Sequence, residues 1–278
     1  MNNTFNIKRF GLVLKKDFQE KWKKYGIQFL TMFGITTVIF IFFFNDYPRD
    51  YSDSDNKELL LIASLLFLVF GVIYASTLME TMQEKTKRIA YLMIPASDFE
   101  KFFSRWLIVT VGYAIAFFIA LWLADVIRVA FWSYHFPDSD TQFLDFSRLV
   151  NPKEKNNFRD YAFFSKAFFG YCISFYALLQ SLFILGATFW EKSSFIKTFS
   201  AIVIVVILFL YLNWLMIKIV HHDLDNFGWI LDTVFPKKVG VAENVIILTV
   251  TCILNFFTLL FWAIAFFRFR ESEIIKRL

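Results

Sequence analysis

Six apolar runs constrain this chain more than any other feature. They cover about residues 27–44, 59–79, 106–124, 167–190, 198–217 and 244–267, each 18 to 24 residues long. At 1.5 Å of rise per helical residue, each run is long enough to cross a hydrocarbon core of about 30 Å. Lipid offers no water to backbone N–H and C=O groups, so such runs must be helical. Composition agrees: 58% of the 278 residues are apolar and 21% aromatic, and mean hydropathy is +0.53, above that of ordinary soluble domains. The expected fold is an all-α integral membrane protein with six transmembrane helices, in a single transmembrane domain over 1–278. About 26 mostly polar residues precede the first run, which ends "FIFFFNDY" without a small-x-small cleavage signature. It therefore reads as a retained span and not as a signal peptide.

Six spans put both termini on one side. The four segments on that side (the N-terminus, the 80–105 loop, the 190–197 loop and the C-terminal tail) hold 18 Lys and Arg against 9 Asp and Glu. The segments on the other side hold 11 against 15. Cytoplasmic loops carry the excess of Lys and Arg, so both termini are expected in the cytoplasm. The first outer loop, "NDYPRDYSDSDNKE", is acidic, and Trp106, Trp132 and Trp190 at run ends fit interfacial belts. No nucleic-acid partner is expected.

Residues 1–25 read as an amphipathic helix. Phe10, Val13, Leu14, Phe18, Trp22 and Tyr25 fall on one face, and Lys15, Lys16, Glu20, Lys23 and Lys24 lie off it. Such a helix rests on a membrane surface, apolar face down. The bland alternative is a cytoplasmic extension of the first span.

Between spans two and three the chain spends about 25 residues where a few would connect them. From Gln83 to Ile94 the pattern is a short helix, basic at Lys85, Lys87 and Arg88, with Ile89, Leu92 and Met93 on one stripe. Pro95 ends it, because the residue before a proline is pushed out of the helical region. Ser97 followed by Glu100 is a capping box that starts a new helix through "KFFSRW" into span three. The stretch is a defined polar protrusion: either a simple interfacial loop helix or a docking element for a soluble partner.

"YLMIPASDFEKFFSRWL" resembles the loop after the second span of bacterial type-2 ABC transporter permeases, with its pattern LP-x-S-x-x-E-K-F…R-x-L. The matching positions are Leu92, Pro95, Ser97, Glu100, Lys101, Phe102 and Arg105, with Ile94 where leucine usually precedes proline. The resemblance covers about 17 residues as motif and the whole chain as plan. It implies a cytoplasmic coupling-type helix over 83–100 that docks in a separate ABC ATPase subunit, with Lys87, Arg88, Leu92, Pro95, Ser97, Glu100, Lys101 and Arg105 at the contact. It also implies an exporter, a second permease copy or paralogue in the plasma (inner) membrane, and no cofactor.

The chain has no G-x-x-x-x-G-K-[ST], H-E-x-x-H or G-x-S-x-G, so no ATP-binding, zinc-protease or hydrolase chemistry is expected of it. His221 and His222 in "HHDLD" could ligate a metal, but the pattern fixes no third ligand, and an interfacial polar turn is the simpler reading. Cys172 and Cys252 lie in apolar runs and are expected as buried thiols outside any disulfide framework. Asp125 and Arg128, three apart near the outer end of span three, can pair at the interface. Gln180, Asn213 and Asn255 are mid-span amides, expected to bond helix to helix or line a pathway. The spans lack a ladder of charges, which argues against a proton-driven pump. The 226–236 segment reads as a short interfacial or re-entrant helix. A non-transport membrane protein, a sensor partner or assembly factor using the same loop, is the competing reading.

Overall fold

In a computed structural model, residues 5–42, 53–82, 84–137, 141–146, 166–190, 192–221 and 242–275 are described. Among them the chain is all-helical, and six of its helices are long and apolar enough to cross a membrane. This is a multi-pass membrane protein. The helices are α1 (Ile7–Phe42), α2 (Asp53–Ser76), the short α3 (Lys85–Leu92), α4 (Asp98–Leu107), α5 (Tyr113–His135), α6 (Lys166–Phe189), α7 (Ser194–His221) and α8 (Ala242–Ile275). A 3₁₀ turn over Glu80–Met82 follows α2, and a π-helical turn over Ile108–Gly112 joins α4 to α5 as one column. The expected 226–236 helix and His222 lie outside the described residues, as do the side chains of Leu92, Asn213 and His221.

The expected surface helix over 1–25 is not a separate element. It is the first half of α1, continuous with the span that follows. No proline interrupts the chain there, and Gly26 alone costs a helix only about 1 kcal/mol. The helix begins under a cap: Asn6 Oδ1 accepts from Lys8 N at 3.0 Å and Arg9 N at 3.4 Å.

In the bundle α1 lies along α5, and α6 is central, touching α2, α7 and α8. Two glycines allow close approach. A Cβ on Gly71 of α2 would stand 2.9 Å from Tyr176 Cζ of α6, and one on Gly186 of α6 would overlap the Thr198 hydroxyl and lie 2.8 Å from Thr198 Cβ of α7. Small residues at helix contacts permit this in membranes. We expect Gly186→Val to lower stability by roughly 1–3 kcal/mol through overpacking. Gly34→Val, whose Cβ would meet nothing within 4 Å, should be tolerated. Thermal unfolding of both variants in detergent checks this.

Asp125 and Arg128 do pair, Arg128 Nε donating to Asp125 Oδ1 at 2.8 Å, and both side chains are buried in the protein. The covering segment is residues 141–146. Arg128 Nη2 donates to Gln142 O at 2.7 Å, Leu144 N to Asp125 Oδ2 at 2.9 Å, and Asp145 N to Asn56 Oδ1 at 2.8 Å. Residues 141–146 are thus strapped across α5 and the start of α2. Trp132, expected in an interfacial belt, packs into the core beside Leu144 and Phe136. Cys172 and Cys252 are exposed, not buried, because they fall on helix faces that no other described helix covers. Such faces of a spanning helix can be apolar without a protein neighbour, since lipid covers them.

Candidate partner-docking site

The polar element between α2 and α4 is built as its local chemistry dictates. α3 is one short amphipathic helix that ends at Leu92, two residues before Ile94–Pro95. The chain turns through Met93–Ala96, with Ile94 N donating to Tyr91 O at 3.2 Å and Ala96 N to Ile94 O at 2.8 Å. Then Ser97 caps α4. Its Oγ accepts from Glu100 N at 3.3 Å, and Glu100 Oε2 accepts from Ser97 N at 3.0 Å, which completes the capping box. A cap of this kind is worth about 1 kcal/mol.

Burial sorts the sequence-predicted contact residues into two groups. Lys87 and Pro95 are exposed, and Arg88 and Ser97 are partly so; Ile89 and Met93, at 48% and 79% exposure, extend the outward surface. Glu100, Lys101 and Arg105 are buried. These three side chains lie inside the fold, behind the exposed ones.

Tyr91 is the hinge pin between the groups. Its hydroxyl donates to Lys101 O at 2.9 Å, and the Arg105 guanidinium lies over its ring at 3.5 Å from the centroid. A desolvated stack of this kind is worth about 2 kcal/mol. Tyr91 and Phe102 sit in a core cluster with Phe183, Ile184 and Ala187 of α6 and Phe269 of α8. A rigid contact path therefore runs from α3 into three spanning columns.

The first half of α1 clamps the element from the other side, through a stripe that the apolar periodicity did not reveal. Arg9, Val13, Asp17, Lys21 and Lys24 face the protein, whereas Leu12, Phe18 and Trp22 point away from it. Glu100 accepts from Asn6 N at 2.8 Å, from Arg9 Nε at 2.6 Å and from Arg9 Nη2 at 2.8 Å, besides its bond to Ser97 N. Ser104 Oγ donates to Asp17 Oδ2 at 2.6 Å, and Lys24 pairs with Glu80 beside the 3₁₀ turn. Asp17, four residues after Val13 and four before Lys21 on the same face, was the available sequence signal.

These groups lie before the apolar runs that begin at 27 and 106. The Arg9 guanidinium, helped by the Asn6 and Ser97 amides and opposed by burial, holds the Glu100 carboxyl down at about 2. Burial pushes the Asp17 carboxyl up, against the pull of Arg105 and the Ser104 hydroxyl. Burial and the neighbouring Arg105 lower the Lys21 amine to about 8.

At the same end, Ser194 Oγ donates to Ser76 O at 2.9 Å, which ties the α6–α7 turn to the end of α2. Deeper in the bundle, Gln180 Nε2 donates to Val109 O of the π turn at 3.4 Å, and Asn255 Nδ2 to Ser174 Oγ at 3.0 Å. Both amides thus join helices. Among the described residues no group of three or more His, Cys, Asp or Glu could hold a metal ion.

No protein-family model matches the chain, no curated protein matches it, and no solved structure matches it.

Proposed function

We propose that this chain is the membrane-spanning permease subunit of an ABC exporter, driven by a separate cytoplasmic ATPase that docks on α3 and the turn after it. The observation that carries this reading is the pairing of an outward surface, Lys87, Ile89, Met93 and Pro95, with a buried clamp immediately behind it, Tyr91, Glu100 and Arg105. A soluble partner that moved α3 would move α1, α4–α5, α6 and α8 with it, because each is in contact with that clamp or its cluster. The excess of Lys and Arg on the α3 side supports a cytoplasmic location for both termini in a plasma membrane. A second copy or a paralogue would complete the transport path. The chain itself performs no covalent chemistry in this reading.

The test is a pull-down of the full chain from native membranes in mild detergent, with mass spectrometry of the soluble proteins retained. The expected result is a P-loop ATPase near one-to-one. The double variant Lys87→Glu/Arg88→Glu should lower its recovery by about thirtyfold or more, since like charges placed across an interface cost on the order of 1 kcal/mol or more each. Undiminished recovery sinks docking through α3, and recovery of a soluble partner that is no ATPase favours a sensor partner or assembly factor.

A further inference from the structure

The first half of α1 also walls a cleft that the clamp does not use. It has a volume of about 640 Å³ and opens between α1 and the π turn that leads into α5. Its depth can be read from its walls. Tyr25 stands just before the first apolar run, Tyr74 near the end of the second, and Ile108 to Ala116 at the start of the third. The cleft therefore sits where apolar runs meet polar flanks, at the level of the boundary between headgroups and acyl chains.

Its chemistry is that of an amphiphile's site. Leu14, Phe18, Leu107, Ile108 and Tyr113 make apolar walls, while the exposed Lys15 and Gln19 lie at the polar edge. Gly11 and Gly112 keep the space open, and a Cβ on Gly11 would meet nothing within 4 Å. Leu12, Phe18 and Trp22 on the flanks of this half of α1 are 56–69% exposed, a surface suited to lipid and not to water. An apolar cleft with a lysine at its edge, opening beside a lipid-compatible surface, calls for an apolar tail with an anionic head.

We propose that this cleft binds one acyl chain of an anionic phospholipid from the bilayer, with its headgroup on Lys15. The site stands independently of whatever docks on α3. Filling it would wedge a lipid chain between α1 and the column that carries α4, so lipid occupancy would stiffen that junction.

Native mass spectrometry of the full chain in mild detergent, titrated with phosphatidylglycerol or phosphatidylcholine, tests the assignment. The expected result is a first phosphatidylglycerol bound about fivefold more tightly than phosphatidylcholine, the effect of one lysine on an anionic headgroup. Lys15→Gln should erase that difference and leave phosphatidylcholine binding as it was. Gly11→Leu should weaken both lipids by roughly tenfold or more by occupying the cleft. It should also leave thermal unfolding intact, since leucine is a better helix former than glycine. Unchanged first-lipid binding in Gly11→Leu, or a preference that survives in Lys15→Gln, overturns the site. Free oleate binding more tightly than phosphatidylglycerol overturns the choice of a bilayer lipid.

Discussion

Glu100→Ala is expected to release the α3 element from α1 while the spans stay folded. Glu100 is fully buried and accepts four hydrogen bonds: from Asn6 N, from Ser97 N and two from Arg9. Alanine removes all four, together with half of the capping box. The cap alone is worth about 1 kcal/mol, so amides of residues 98–101 should exchange at least about fivefold faster. Amides at the start of α1 should follow, because their tie across 94 residues is cut. Glu100→Gln separates the two contributions. Glutamine also serves in a capping box, so α4 should keep its start, but Arg9 loses its ion pair with residue 100. If an ATPase docks on α3, Glu100→Ala should reduce its recovery although the residue touches no solvent.

The same side chain sets a dependence on pH. Its folded value, about 2, lies below the ordinary carboxylate value near 4.3. A carboxyl depressed on folding stabilises the folded state fully above its unfolded pKa, and that contribution fades as pH falls toward the folded one. The gap in unfolding midpoint between the parent chain and Glu100→Gln should therefore be constant from about pH 7 to 5 and shrink below about 4.3. A gap that widens on acidification would falsify the assignment of this carboxylate as the ionised centre of the clamp.

Arg128→Met is expected to be the most destabilising single change at the opposite end. It leaves the Asp125 carboxylate, 3% exposed, with one backbone amide in place of a guanidinium. Breaking a buried pair from one side costs about 3–5 kcal/mol, whereas replacing both partners with apolar groups costs far less. Asp125→Leu/Arg128→Met should accordingly melt above the Arg128→Met single variant in the same detergent. Both variants should open the 141–146 strap to protease, because each removes the Arg128 bond to Gln142 O and the double variant also removes the Asp125 bond to Leu144 N. Equal melting of the single and double variants would show that the unpaired carboxylate is not the source of the cost.

Much of the architecture was legible in the sequence because it depends on near neighbours. The apolar runs fix six spanning helices, since backbone groups in lipid can be satisfied within one segment. The Ser97–Glu100 box and the stop before Pro95 are decided within four residues, and both stand where the pattern put them. The Asp125–Arg128 pair is local in the same sense. The candidate site was only half legible. The sequence marked the polar element between α2 and α4, but it could not say which of its residues face outward. That division follows from contacts between residues about 90 apart: Arg9 with Glu100 and Asp17 with Ser104. The apolar stripe of α1 was only partly informative, because Val13 packs inward whereas Phe18 and Trp22 face outward. In water, apolar residues seek the protein interior, but beside a bilayer they find lipid outside it, so the protein-facing stripe is free to be polar. Periodicity identifies an amphipathic helix without naming what each face touches. Only the packing of α1 on α4 decided that Arg9, Asp17 and Lys21 turn inward and Phe18 and Trp22 turn out.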